Sequence, residues 1–225
     1  MYNFITGPLA WFSFLVFFIG LFIRSVFYLI GLDSKLDRIS YRVNSFYGIK
    51  EAFRSILYWM LPFGTRGWRT QPGMTFLFFI FHLGIVLPTV FLGAHNMILK
   101  ERWGFSLFAF PDYLSDIMTI VVLVSAFVLL IRRIILPKVR ILTKSSDYMV
   151  LFVAILPFFT GFMAFHQFSN YPFWMIAHII SGEILLIAIP FTKLSHCFLF
   201  FLTRAQLGMD YGIKRGGMKR NNNIW

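Results

Sequence analysis

The sequence predicts an all-α membrane protein of five transmembrane helices, and three observations carry that reading. Apolar residues make up 58% of the 225 residues and charged residues only 13%, a richer apolar content than the core of a soluble domain uses. These residues, 30 phenylalanines among them, fall into five runs long enough to cross a bilayer as helices. The basic residues are sorted by loop. Seven Lys and Arg lie in 31–73, five in 132–147 and five after 202, against Lys100 and Arg102 alone between the second and third runs. Such sorting places the N-terminus outside and the C-terminus in the cytoplasm, with the chain in the cytoplasmic membrane. The net charge of +12 is therefore topology, and no nucleic-acid partner is expected.

The first span covers 9–30. It lacks the basic start and small-residue cleavage site of a signal peptide, so it is read as a helix of the mature protein. Within the basic loop 31–73, Ile49, Ala52, Phe53, Ile56, Leu57, Met60 and Leu61 recur at helical spacing, with Lys50, Glu51 and Arg54 between them. This pattern predicts an amphipathic helix lying in the headgroup layer, ended by Pro62 and the Phe63-Gly64-Thr65 turn. The second span is 74–97, the third 116–136, the fourth 148–168 and the fifth 174–202. The basic tail 203–225, with Asn221-Asn222-Asn223 near its end, is too polar to insert. Its charges suit a cytoplasmic subunit or anionic lipid, and its end is expected to be flexible unless a partner orders it. No internal repeat is visible, so the chain is one membrane domain.

All five histidines fall in or at the ends of apolar spans, where a polar side chain is costly and usually functional. His178 and His196 are eighteen residues apart. On one unbroken helix that is five turns, which puts both imidazoles on one face and about 27 Å apart, close to the hydrocarbon thickness. His82 and His95 form a second pair on the second span. Depth couples His82 with His196 on the inner side and His95 with His178 on the outer side, as axial ligands of two stacked b-type haems held between the helices. Two histidines per iron leave no open position, which suits electron transfer. The single cysteine, Cys197, gives no disulfide or cysteine cluster, and the absence of C-x-x-C-H makes any haem non-covalent. On an ideal helix His82 and His95 are about 140° apart. Pro88, between them, is expected to kink that helix, and His166 is the fallback outer ligand. Gly84, Gly93, Gly161 and Gly182 either let a flat macrocycle approach the backbone or serve ordinary helix packing. Arg24, Arg132, Arg133, Lys193 and Arg204 are candidate cations for haem propionates.

Several stretches resemble the respiratory nitrate reductase gamma subunit. They are His178-Ile-Ile-Ser-Gly and Pro190-Phe-Thr-Lys-Leu-Ser-His196, the loop residues Arg132-Arg133, Pro137, Val139-Arg140, Thr143 and Asp147, and Phe81-His82-Leu-Gly-Ile. The resemblance covers most of the chain. It implies a di-haem cytochrome b with two haem b groups, a quinol site beside the outer haem and a cytoplasmic iron–sulfur partner. His82 and His196 would hold the inner haem and His178 the outer. His95 lies three residues farther from His82 than in the nitrate reductase pattern. This points to relatives in anaerobes, including sulfate reducers, where a gamma-like cytochrome b joins a heterodisulfide-reductase-like iron–sulfur subunit and often a periplasmic multihaem cytochrome c.

On that reading the chain carries electrons between menaquinone and soluble redox subunits, as a part of a complex and not as a free-standing enzyme. Glu183, five residues beyond His178, is the only acid away from the ends of a span and a candidate acceptor for a quinol proton. His166 and Lys100 are candidate contacts for the quinone headgroup. Two other readings stay open: a cofactor-free transporter or channel subunit, which asks for a polar path through the spans, and a membrane anchor that docks a redox partner.

Overall fold

The computed structural model describes residues 2–32 and 45–215, with side chains as far as Tyr211. Lys35, Arg38 and Arg42 of the basic loop and the Asn221-Asn222-Asn223 tail lie outside the described residues. Every regular element among the described residues is helical. Five helices are long and apolar enough to cross a membrane: α1 (Tyr2–Ile30), α4 (Pro72–Phe91), α6 (Asp112–Ile135), α8 (Ser145–Phe165) and α9 (Tyr171–Phe191). The remaining helices are α2 (Ser45–Met60), α3 (Arg66–Thr70), α5 (Gly93–Trp103), the single turn α7 (Pro137–Arg140) and α10 (His196–Arg215).

Two of the expected spans are shorter than their apolar runs. The run 74–97 is not one helix, because α4 stops at Phe91 and Leu92 turns out to φ −65°, ψ 134° before α5 begins. Pro88 stays inside α4, and the break comes one turn after it. Such a break strands the carbonyls whose helical donors would have been four residues on. Side chains take their place. His95 Nδ1 bonds Thr89 O at 2.9 Å, and Asn96 Nδ2 donates to Val90 O at 3.1 Å. Asn96 is buried, and its Oδ1 accepts from Leu107 N at 2.8 Å, which fixes the extended segment after α5.

The run 174–202 is likewise two helices. Pro190 lies in the last turn of α9, Thr192 is extended (φ −119°, ψ −175°), and a short 3₁₀ turn, Lys193–Ser195, leads into α10. Thr192 Oγ1 accepts from Leu194 N at 3.2 Å and so starts the new turn. The five-turn argument for His178 and His196 is therefore corrected: they sit on different helices, and neither a shared face nor a 27 Å axial separation applies.

Contacts divide the chain into two compact units, residues 1–14 with 77–188 and residues 15–76 with 189–225. In the first unit, Phe81 of α4 and Val122 and Ala126 of α6 form the buried core, joined by Leu151, Ile155 and Phe158 of α8. Gly84 permits this packing, since a Cβ there would lie 2.5 Å from Val122 Cγ2. Trp103, at the end of α5, sits edge-on to Trp11 and Phe14.

In the second unit, α2 packs on α10 through its small and polar side. Gly48, Glu51, Ala52 and Ser55 are buried, and a Cβ on Gly208 would lie 2.4 Å from Glu51 O and 2.8 Å from Ala52 Cα. The apolar side of α2, with Phe46, Ile49, Phe53 and Leu57, is exposed. The expected amphipathic helix is thus present, and its polar face is the one used for packing within the chain. Arg204 lies over the Trp59 ring at 4.0 Å, and Trp59 meets Trp68 edge-on.

Gly208→Ala should weaken the α2–α10 contact by about 1–3 kcal/mol, the usual cost of overpacking, and lower the midpoint of thermal unfolding in detergent. Gly73→Ala, which meets nothing within 4 Å, should leave that midpoint unchanged or raise it.

Candidate functional site

The site is built on α5, α8 and α9 of the first unit. His95 on α5 and His178 on α9 come together with ring planes parallel within 5° and centroids 6.1 Å apart. Each ring is fixed through Nδ1. His95 Nδ1 bonds Thr89 O at 2.9 Å, and His178 Nδ1 bonds Pro157 O on α8 at 2.9 Å. A carbonyl only accepts, so both Nδ1 atoms carry the hydrogen, and in the neutral rings both Nε2 atoms keep a lone pair. Neither Nε2 has a hydrogen-bond partner among the described residues. Two neutral nitrogen donors are thereby held in a fixed relation.

The surroundings of His178 are equally specific. A Cβ on Gly161 would lie 2.9 Å from both Cε1 and Nδ1 of the ring, so only glycine leaves the imidazole its place. Thr160 and Ser181, both buried, meet at 3.1 Å, and Ser181 Oγ donates to His178 O at 2.9 Å. Gly182, one turn along α9 from His178, would direct a Cβ into open space, and Gly93, two residues before His95, meets only Asp112 Oδ1 at 3.9 Å. A side chain is therefore sterically permitted at Gly93 and Gly182. None is permitted at Gly84, which serves helix packing.

His82, in the same unit, bonds Phe78 O through Nδ1 at 2.8 Å. His196, in the second unit, bonds Lys193 O through Nδ1 at 2.8 Å. All four proposed ligands thus share one tautomer, with the lone pair on Nε2. His166 differs. Its Nε2 meets Asp116 Oδ1 at 2.9 Å across the ends of α8 and α6, which occupies the nitrogen that a ligand would use. The structure brings His95, and not His166, beside His178. His166 and Lys100 are exposed and Glu183 is buried, with neither Glu183 carboxylate oxygen hydrogen-bonded.

Among the candidate cations, Arg24 Nη2 donates to Ser195 Oγ at 3.3 Å and Arg133 Nη1 to Asp147 O at 3.2 Å. Arg204 is stacked on Trp59, where burial pushes its guanidinium below the usual arginine range. Arg132 makes no side-chain hydrogen bond or ion pair among the described residues. Sequence reasoning missed the supports of His178 at Pro157, Thr160, Gly161 and Ser181, and the pairing of His166 with Asp116. The only available signal was that Pro157 and Gly161 stand one turn apart in an apolar run.

Among the described residues, no group of three or more His, Cys, Asp and Glu side chains is placed to hold a metal ion. A metal at His95 and His178 would have to bring most of its own ligands.

A protein of Nitratidesulfovibrio vulgaris Hildenborough, described only as "Protein", is 50% identical over 220 residues, which cover 98% of this chain and 97% of that protein. The chain belongs to that protein's family. No family model matches the sequence, and no solved structure matches it. The match runs nearly end to end, so the histidine-bearing helices and the α2–α10 pair all fall inside the shared family.

Gly161→Ala should displace the His178 ring, break its bond to Pro157 O and end its alignment with His95. A structure of the variant that kept parallel rings about 6 Å apart would show the clearance to be unimportant.

Proposed function

We propose that the chain is the membrane cytochrome subunit of a quinone-linked redox complex, with His95 and His178 binding an outer haem b and His82 and His196 an inner one. The observation that carries this reading is the His95–His178 pair. An imidazole nitrogen binds a metal at about 2 Å, and the ring centre lies about 1 Å beyond the nitrogen, so two imidazoles facing each other across one metal would have centroids about 6 Å apart. The two rings stand at 6.1 Å, parallel, with Nδ1 hydrogen-bonded to a carbonyl and Nε2 left to ligate. Carbonyl bonds of this kind fix the tautomer and orientation of metal-bound histidines. The macrocycle would supply the four remaining nitrogens, in keeping with a site that offers only two.

A bound haem would supply one-electron transfer. The protein's own part is to hold the imidazoles, set their donor strength and manage protons. A menaquinol that gives up two electrons also releases two protons. Glu183, buried in α9 five residues from His178 with neither oxygen hydrogen-bonded, is the acceptor proposed for one of them. Lys100 and His166 are the proposed headgroup contacts, His166 oriented by Asp116. Arg24, Arg132 and Arg133 are proposed for the propionates. Five helices able to span a bilayer, with the sorted basic loops, support an N-terminus outside and a C-terminus in the cytoplasmic compartment. There α2, α10 and the basic tail would meet a heterodisulfide-reductase-like iron–sulfur subunit. A multihaem cytochrome c is the proposed partner on the periplasmic side.

The purified protein should show the absorption spectrum of reduced bis-histidine haem, with two haems per chain. His95→Ala or His178→Ala should remove one haem, His82→Ala or His196→Ala the other, and His166→Ala neither. A colourless preparation would refute the reading.

A further inference from the structure

We infer that Thr160 is a positioning residue that governs how strongly His178 donates to its metal, through a hydroxyl fork on the Pro157 carbonyl. The inference rests on the haem reading of His95 and His178 and extends it to residues that touch neither metal nor substrate.

The geometry is a count of hydrogens against acceptors. Thr160 Oγ1 lies 2.8 Å from Leu156 O, 3.2 Å from Pro157 O and 3.1 Å from Ser181 Oγ. Ser181 Oγ lies 2.9 Å from His178 O. Each hydroxyl has one hydrogen, so Thr160 divides its hydrogen among these acceptors. Pro157 O is also the acceptor for His178 Nδ1–H at 2.9 Å. Thr160 and His178 therefore compete for one carbonyl. Both hydroxyl residues are buried, Thr160 4% and Ser181 3% exposed, so water does not dilute the competition.

The consequence for the ligand has a definite sign. When Thr160 donates to Pro157 O, that carbonyl binds the imidazole N–H less strongly. When Thr160 points elsewhere, Pro157 O serves one donor fewer, the His178 Nδ1–H is held more tightly, and Nε2 becomes a stronger donor. A stronger donor favours the oxidised metal. Ser181 biases the fork, because with its own hydrogen on His178 O it offers Thr160 a lone pair that draws the Thr160 hydrogen away from Pro157 O.

Thr160→Val keeps the side-chain shape and removes the hydroxyl. It should lower the midpoint potential of the outer haem alone, shifting its reduced-to-oxidised ratio at fixed potential by roughly two- to tenfold, the span of one modest hydrogen bond. Thr160→Ser should restore the native value. The measurement is spectroelectrochemical titration of the whole protein, with His95→Ala identifying which component is the outer one. If Thr160→Val fails to retain the outer haem, Ser181→Ala carries the test, with a smaller shift of the opposite sign expected, because it returns the Thr160 hydrogen to the α8 carbonyls. An unchanged outer midpoint in a fully loaded variant, or an equal shift in both haems, would overturn the inference and leave the haem assignment standing. Absence of haem from the unmodified protein would overturn both.

Discussion

The structure depends on one constraint: a backbone carbonyl in an apolar environment must find a donor. Where a helix runs unbroken, its own N–H groups meet that demand. This chain interrupts two of its apolar runs, at Leu92 and at Thr192. Side chains then do what the backbone cannot. His95 caps Thr89 and Asn96 caps Val90, while His196 Nδ1 adds to Lys193 O, which the His196 backbone N–H also serves. His178 reaches across to Pro157 on the neighbouring helix. For His95, anchoring the ring and satisfying the backbone are the same bond; His178 and His196 are oriented by carbonyls that backbone donors also serve.

That coupling explains what the sequence conveyed and what it concealed. Hydropathy reports how apolar a stretch is, and so it located five spans and the helix at 45–60. It is blind to whether a helix continues within an apolar run. Leu92 and Thr192 stand among apolar residues, so 74–97 and 174–202 read as single helices. The eighteen residues between His178 and His196 look like five turns only while Pro190 and Thr192 are ignored. Conversely, the 140° between His82 and His95 was a difficulty for an ideal helix alone. The break at Leu92 gives His95 a helix of its own and removes the difficulty.

The pairing of His95 with His178 was legible as residue types, but its supports were not. Pro157 and Thr160 are inconspicuous in an apolar run, Gly161 read as macrocycle clearance or helix packing and Ser181 only as part of a motif, and their role beside His178 appears only when α8 lies beside α9. Gly84 and Gly161 look alike on paper; one admits Val122 and the other admits an imidazole. His166 likewise matched the pattern of a ligand until Asp116, fifty residues earlier, was found at its Nε2.

The α2 helix is turned inside out relative to a soluble amphipathic helix. Its glycine, alanine, serine and buried glutamate meet α10, while phenylalanines and leucine look outward. Such an element has no stable existence in plain water. The pair it forms with α10 would self-associate if cut free, so an amphiphile is as much a structural component of this unit as any of its side chains.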